Sequence, residues 1–186
     1  RRIDQGRVEA AAAVGALGDV HERRILVEQV PRIQAHRQVL GEAELIAELA
    51  PALKRSPVPV VVDHMGRVDA SLGLNHPDFQ ALLALLDDTN VWVKVSGSDR
   101  VTRQGPPYAD AVPFARKLVS EFGDRCVWGT DWPHPNHQGP IPDDGVLVDI
   151  LADIAPTEAA RQALLVDNPQ RFYRFAPARR LTGTAS

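Results

Sequence analysis

Three apolar runs recur at regular intervals along the chain, and they constrain its fold more than any other feature. They read VPVVV at 58–62, VWVKV at 91–95 and RCVWG at 125–129. A continuous apolar run, as opposed to an alternating one, is typical of a strand covered on both faces in a parallel sheet. Helical stripes of apolar residues lie between the runs, at 79–86 and 112–122. The alternation of strands and helices therefore predicts an α/β fold whose parallel strands are joined by right-handed crossovers.

Other segments carry weaker signals of secondary structure. Leucines and an isoleucine at 45–53 mark one face of a helix, which Pro51 is expected to bend or end. Asn168-Pro169 is expected to cap and begin a short last helix. Near the amino terminus, the pattern predicts a helix at 8–17 and a short strand or helical turn at Ile25–Val30.

Composition and charge exclude several classes of function. The chain of 186 residues is 44% hydrophobic and 24% charged, which indicates one globular domain with a sizeable core. Its net charge of -3 gives no electrostatic reason to expect nucleic acid or an anionic membrane surface as a partner. No apolar run reaches the ~20 residues of a membrane span. The single cysteine, Cys126, fits a reducing compartment, so the cytoplasm is the expected location.

Ionisable side chains follow each of the three predicted strands. After the first strand the sequence reads DHMGR, after the second SGSDR, and after the third TDWPHPNH. In parallel α/β sheets the ligand lies beyond the carboxyl ends of the strands, so we expect these side chains to meet at one site. They are Asp63, His64, Arg67, Asp99, Arg100, Asp131, His134 and His137.

These segments carry a family resemblance. In chain order, the motifs VVVDHMGR, WVKVSGSDR, GPPYADAVPFARKLV, WGTDWPHPN, PDDG and DNPQRFY resemble the carboxyl-terminal half of the amidohydrolase-related (amidohydrolase 2) family, over residues 41–175. Within that family they are most similar to the 2-pyrone-4,6-dicarboxylate lactonases. The resemblance implies a (β/α)8 TIM barrel of the metal-dependent hydrolase superfamily, here a partial barrel, that hydrolyses a carboxylated cyclic ester. It also implies an aspartate that activates water, arginines that hold the substrate, and no divalent metal.

Asp131 and His64 are the predicted catalytic residues. Asp131 follows an apolar run, where a buried carboxylate is costly unless it is hydrogen-bonded or used, and as a base it would take a proton from water. Its alternative role is to cap the DWPHP turn. His64 would polarise the scissile carbonyl or stabilise the oxyanion, and its alternative role is that of a buried histidine bonded to backbone.

Arg67, Arg100 and His134 are the predicted substrate-binding residues. An arginine presents a planar fork that binds a carboxylate through two charge-assisted hydrogen bonds. The alternative for the arginines is a surface ion pair, Arg67 with Asp69 and Arg100 with Asp99. His134 lies in a His-Pro turn, where the alternative is a structural role. Weaker candidates for contact with substrate are Arg103, Tyr108 and His137.

Metal binding is the rival chemistry. A catalytic zinc site takes about three protein ligands and a water. Metal-dependent amidohydrolases, which the sequence also resembles, use a His-x-His pair on the first strand and further histidines on later strands. The sequence contains no His-x-His pair, and no histidine lies between His76 and His134. We therefore expect no metal, with zinc in a metal-dependent amidohydrolase or decarboxylase as the alternative.

The chain is shorter than the expected barrel, which takes ~250 residues. Residues 1–40 contain no aromatic side chain and read as an atypical segment, truncated or frame-shifted, followed by the barrel part at 41–176 and a tail at 177–186. Three interpretations stay open: a hydrolase that opens a carboxylated lactone, the metal-dependent enzyme, and an inactive barrel fragment. The predicted partner is a small-molecule carboxylated lactone. Because strands without their neighbours expose unpaired edges, the sequence also predicts self-association through the edges of the partial barrel.

Overall fold

The computed structural model describes residues 37–39, 43–88, 90–137 and 139–175 of the chain. The predicted helix at 8–17, the predicted strand or turn at Ile25–Val30 and the predicted tail at 177–186 lie outside these residues. Of the atypical segment at 1–40, the structure describes residues 37–39.

A four-stranded parallel sheet forms the centre of the described part. Its strands are adjacent in chain order, and each is paired in parallel with the next. Three of them lie within the apolar runs that predicted strands, because β-branched and aromatic side chains pack well on a pleated surface. The strands are β1 (Arg37–Val39), β2 (Val60–Val62), β3 (Val91–Lys94) and β4 (Cys126–Val127).

Helices connect the strands and follow the last one. Those after β1, β2 and β3 provide the crossovers between parallel neighbours, as the alternating pattern predicted. The α-helices are α1 (Ile46–Lys54), α2 (Pro77–Leu86), α3 (Ser98–Val101), α4 (Val112–Phe122), α5 (Asp144–Asp149), α6 (Leu151–Ile154), α7 (Glu158–Gln162) and α8 (Asn168–Tyr173). Single 3-10 turns occupy Ala43–Leu45, His64–Arg67, Ala70–Leu72 and Gly123–Arg125, and a π-helical turn occupies Ala163–Asp167.

Two details of the helices differ from the sequence predictions. Helix α1 continues through Pro51 to Lys54, so of the two effects predicted for Pro51, bending or ending the helix, the second does not occur. Asn168 does not cap the last helix, because the π-helical turn runs directly into α8 and Asp167 precedes its first residue. The Asn168 side chain is buried and bonds elsewhere, which periodicity and capping rules do not reveal.

Both faces of the sheet are covered, as continuous apolar strands require. On one face, valines of β2 and β3 such as Val60 and Val93 pack against α1, α2 and α4 in the main hydrophobic core. On the other face, Trp92 and its neighbours pack against Phe172 of α8, with the two ring centroids 4.8 Å apart. The guanidinium of Arg171 lies 5.0 Å from the centroid of the Trp92 ring. The last helix therefore shields the second face of β3 from solvent.

Asn168 ties the last helix to the sheet. Its Nδ2 donates to the carbonyl oxygens of Gly123 and Cys126, at 2.7 Å each. These carbonyls lie before and within β4, so one buried amide joins α8 to the strand whose end carries Asp131.

Replacing Asn168 with alanine is expected to lower the free energy of unfolding by about 2–4 kcal/mol, because it leaves two carbonyls without their donor. Urea unfolding of the full chain measures this change. Gln162→Ala is the matched control, since its amide donates to Asp167 at the surface, and a change within about 0.5 kcal/mol is expected. Equal losses of unfolding free energy in the two variants would show that the Asn168 hydrogen bonds stabilise the fold no more than a surface hydrogen bond does.

Candidate active site

Asp131 and Arg100 form an ion pair at the carboxyl end of the sheet. Nε of Arg100 donates to Oδ2 of Asp131 at 2.7 Å, and Nη2 lies 2.5 Å from the same oxygen. The side chain of Arg100 is 8% exposed and that of Asp131 is 18% exposed. Nη2 also donates to the carbonyl oxygen of Pro135 at 3.1 Å. Because charge-assisted bonds are shorter and stronger than neutral ones, this arginine fixes both the carboxylate and the loop that follows it.

His64 approaches the same carboxylate from the end of β2. Its Nε2 lies 3.5 Å from Oδ1 of Asp131, the oxygen that Arg100 does not contact. On the other side of the ring, Nδ1 lies 3.2 Å from Oγ of Ser96, which follows β3. Side chains after β2, β3 and β4 thus meet at one point, as the sequence predicted for His64, Arg100 and Asp131.

Burial governs the charge of His64. It lowers the pKa of the imidazole below the ordinary 6.5, and the nearby carboxylates of Asp131 and Asp63 oppose this effect. The cations Arg100 and Lys94 lower the same pKa further. The imidazole is therefore neutral near pH 7, and it can donate one hydrogen bond without bringing a second positive charge to the site.

Gly97 makes room for His64. Its φ of +76° is a conformation that side chains with a Cβ rarely adopt, and a Cβ at this position would lie 2.7 Å from Cβ of His64. The glycine in the SGSDR motif is therefore required by the close approach of the imidazole to the turn after β3.

Asp63 belongs to a second charge pair below the site. Nζ of Lys94 lies 2.7 Å from Oδ1 of Asp63, and Nε2 of Gln38 donates to Oδ2 at 2.5 Å. The Asp63 side chain is almost fully buried, so these partners compensate its charge. Sequence reasoning missed Lys94, Gln38 and Ser96. The signal for Lys94 was a lone lysine within an apolar strand.

The structure gives the other predicted residues their own partners. Nε2 of His134 lies 3.1 Å from Oδ1 of Asp144 at the start of α5, and His134 is buried. Arg67 is half-buried in the turn that begins with His64. The surface pair suggested for Arg100 with Asp99 does not form, because Arg100 faces Asp131 instead.

Two further predicted neighbours pair differently. Asp69 pairs with Arg103, whose Nε and Nη2 each lie 2.9 Å from its Oδ2. Asp99 lies against His137, with Oδ2 3.3 Å from Nδ1. Cys126 is buried, and burial raises the pKa of its thiol to about 12, so the thiol is unreactive near pH 7.

The donor set of the site does not fit a metal ion. Within the described ranges, no group of three or more His, Cys, Asp and Glu side chains is placed to hold one. At Asp131 itself, the Arg100 guanidinium takes the place beside Oδ2 that a divalent cation would need. We therefore derive no catalytic step through a metal.

The chain belongs to the amidohydrolase family, whose model matches residues 9–175. It is 44% identical over 154 residues to a 2-pyrone-4,6-dicarboxylate hydrolase of Comamonas testosteroni, a match that covers 78% of this chain and 50% of that protein. It is also 44% identical over 130 residues to a 4-sulfomuconolactone hydrolase of Hydrogenophaga intermedia, covering 69% and 43%. The chain thus spans about half the length of these relatives.

Solved structures show the same fold. A structure from Agrobacterium tumefaciens matches with a TM-score of 0.69 at 31% identity, over 78% of this chain and 52% of that one. An amidohydrolase of Burkholderia multivorans with bound zinc matches with a TM-score of 0.59 at 20% identity, over 76% and 53%, which shows the fold alone. The predicted α/β fold of the TIM-barrel superfamily is confirmed, and the four described strands form part of such a barrel.

No helix in the described part of the chain is long and apolar enough to cross a membrane.

The contact between Gly97 and His64 can be isolated by a matched pair of variants. Gly105 has nearly the same φ, +75°, but a Cβ there would meet nothing within 4 Å. Alanine at either position is expected to cost about 1–2 kcal/mol for the left-handed backbone. Gly97→Ala is expected to cost a further ~1–3 kcal/mol for the clash with the imidazole. Similar unfolding free energies for the two variants would contradict this packing.

The lowered pKa of His64 predicts how stability depends on pH. Burial disfavours the protonated form of His64 in the native state. The contribution of this residue to the free energy of unfolding is therefore fully present above pH 6.5, and it is lost as the pH falls toward the lower native pKa. The wild type should therefore lose more unfolding free energy than His64→Gln between about pH 8 and about pH 5.5. Urea titrations at the two pH values provide the measurement, and equal losses in both proteins would argue against a neutral His64.

Proposed function

We propose that this chain carries the water-activating part of a lactone hydrolase site, with Asp131 as general base and His64 as hydrogen-bond donor to the oxyanion. The observation that supports this proposal most directly is that the two carboxylate oxygens of Asp131 have different partners. One carboxylate oxygen is held by Arg100, while the other faces the imidazole of His64. A carboxylate fixed in this way presents a single free oxygen to a water molecule.

The residues then support a complete hydrolysis. Asp131 takes a proton from water through Oδ1, and the resulting hydroxide attacks the lactone carbonyl carbon. The neutral imidazole of His64 donates from Nε2 to the oxygen on which negative charge develops, and Ser96 holds Nδ1 on the far side of the ring. When the tetrahedral intermediate collapses, the ring C–O bond breaks and the proton on Asp131 passes to the departing oxygen. The product is an open-chain acid.

The proposed substrate is a lactone that carries carboxylate groups, such as 2-pyrone-4,6-dicarboxylate. Two relatives are named for hydrolysis of lactones with anionic substituents, a dicarboxylate in one and a sulfonate in the other. Arg67, on the same turn as His64, and the remaining Nη1 group of Arg100 are the proposed contacts for these anions. His134 is proposed as a further substrate contact, although its ring already pairs with Asp144.

We also propose that the reaction needs no metal, since the guanidinium beside Asp131 supplies the positive charge there. Zinc is the alternative, because an amidohydrolase of the same fold contains it. The proposed enzyme works in the cytoplasm, where its single buried thiol stays reduced. The outer edges of β1 and β4, which end the described sheet, are the proposed surfaces for self-association. The domain boundary at residue 41 stays a prediction.

Asp131→Asn keeps the size of the side chain and removes its basicity, so hydrolysis of 2-pyrone-4,6-dicarboxylate should fall by about 10²–10⁴-fold. Loss of the pyrone absorbance measures the rate of the full chain and of the variant. Asp69→Asn is the matched control, because it removes a carboxylate that pairs with Arg103 and should leave the rate nearly unchanged. Turnover by Asp131→Asn at the rate of the control would reject the assignment of the base.

A further inference from the structure

A separate cavity of about 570 Å³ lies beside the helix that carries Arg100. The lining residues, which include Asp99, Arg103, Tyr108 and His137, come from the segments after β3 and after β4, and His64, Arg100 and Asp131 are not among them. Its volume falls in the range of pockets that bind small organic molecules. The cavity is therefore a candidate binding site that the proposed hydrolysis does not use.

A buried carboxylate and an imidazole form the inner wall of this cavity. The Asp99 side chain is 1% exposed, and its only ion-pair partner in the described part of the chain is His137, with 3.3 Å between Oδ2 and Nδ1. Neither Asp99 oxygen has a hydrogen bond to any residue that the structure describes. Because a buried carboxylate needs a donor, Asp99 fixes the Nδ1–H of His137 toward itself. The ring then offers Nε2 to another group.

Tyr108 provides the second polar group of the inner wall. The residue is buried, and burial raises the pKa of its hydroxyl, with the negative charges of Asp99 and Asp143 adding to the effect. The hydroxyl therefore stays protonated, able both to donate and to accept, and it has no hydrogen-bond partner among the described residues. Arg103 also lines the cavity, but its guanidinium is paired with Asp69, so the two carboxylates make this wall unfavourable for an anion.

The rest of the lining is mostly apolar, apart from Thr102, Arg103 and Asp143. Pro106, Pro140 and Pro142 contribute rigid surfaces, and Ile141 and Val146 contribute aliphatic ones. Ile141 is exposed, although it is a large hydrophobic residue. An apolar lining that also contains two hydrogen-bonding groups suits a ring compound that carries one polar substituent.

We propose that this cavity binds a small uncharged ring compound with a hydroxyl group. The ligand hydroxyl donates to Nε2 of His137 and accepts from the hydroxyl of Tyr108, so both groups gain a partner. A carboxylate in this place would meet the field of Asp99 and Asp143. A cation could not pair directly with Asp99, because the His137 ring lies against that carboxylate.

The test measures binding of three rings of similar size to the full chain by calorimetry: phenol, benzoate and benzylammonium. We expect saturable binding of phenol that is at least about tenfold tighter than that of the two charged rings. Toluene tests the hydroxyl without any variant, and it should bind about tenfold more weakly than phenol, the value of one net hydrogen bond. Tighter binding of benzoate or benzylammonium, equal binding of toluene, or no saturable binding of phenol would overturn the proposal.

A matched pair of variants locates the site. Tyr108→Phe removes only the hydroxyl and should weaken phenol about tenfold, while its thermal unfolding confirms that the variant is folded. Glu121→Gln, which changes a surface ion pair with Lys117 outside the lining, should leave the affinity for phenol unchanged. Unchanged affinity in a folded Tyr108→Phe variant would overturn the proposal. None of these measurements depends on hydrolysis, so they are independent of the proposed lactonase function.

Discussion

The ion pair between Arg100 and Asp131 is the interaction on which the rest of the site depends. It joins the helix after β3 to the loop after β4, and a second bond from Arg100 to the Pro135 carbonyl holds the middle of that loop. The loop needs such support, because Asp131, His134 and Asn136 all have positive φ. Each such residue costs of order 1 kcal/mol that surrounding contacts must offset. Two carboxylate–imidazole contacts, at His134 and His137, hold the remainder of the loop.

Charge compensation explains why so many ionisable groups can share a largely buried site. The cation Arg100 faces Asp131, and the cation Lys94 faces Asp63, so each of these two carboxylates has its own cationic partner. His64 lies among all four and remains neutral because burial outweighs its two acidic neighbours. A neutral imidazole there preserves the balance, whereas a protonated one would add a positive charge beside two existing cations. The free oxygen of Asp131 and the Nε2 of His64 are therefore available for chemistry.

The sequence predicted the framework of this arrangement because its signals are local. Continuous valine-rich runs identified β2 and β3, and the polar residues after each strand identified the edge at which His64, Arg100 and Asp131 meet. Pairings were less predictable, because they depend on which side chains tertiary packing brings together. The sequence suggested Asp99 or Asp69 as arginine partners, but Arg100 pairs with Asp131, and Asp69 pairs with Arg103. Asn168 looked like a helix cap, and its amide instead bonds across to β4. The roles of the site residues in catalysis stay predictions.

A double-mutant cycle on Arg100 and Asp131 tests most directly whether their ion pair organises the site. Each single variant, Arg100→Met or Asp131→Asn, leaves a mostly buried group without its partner, while the double variant removes both charges together. The account predicts that the double variant loses less unfolding free energy than the sum of the two single losses, with a coupling energy of about 1–3 kcal/mol. Losses that add within about 0.5 kcal/mol would contradict it, because they would show that the two residues act independently.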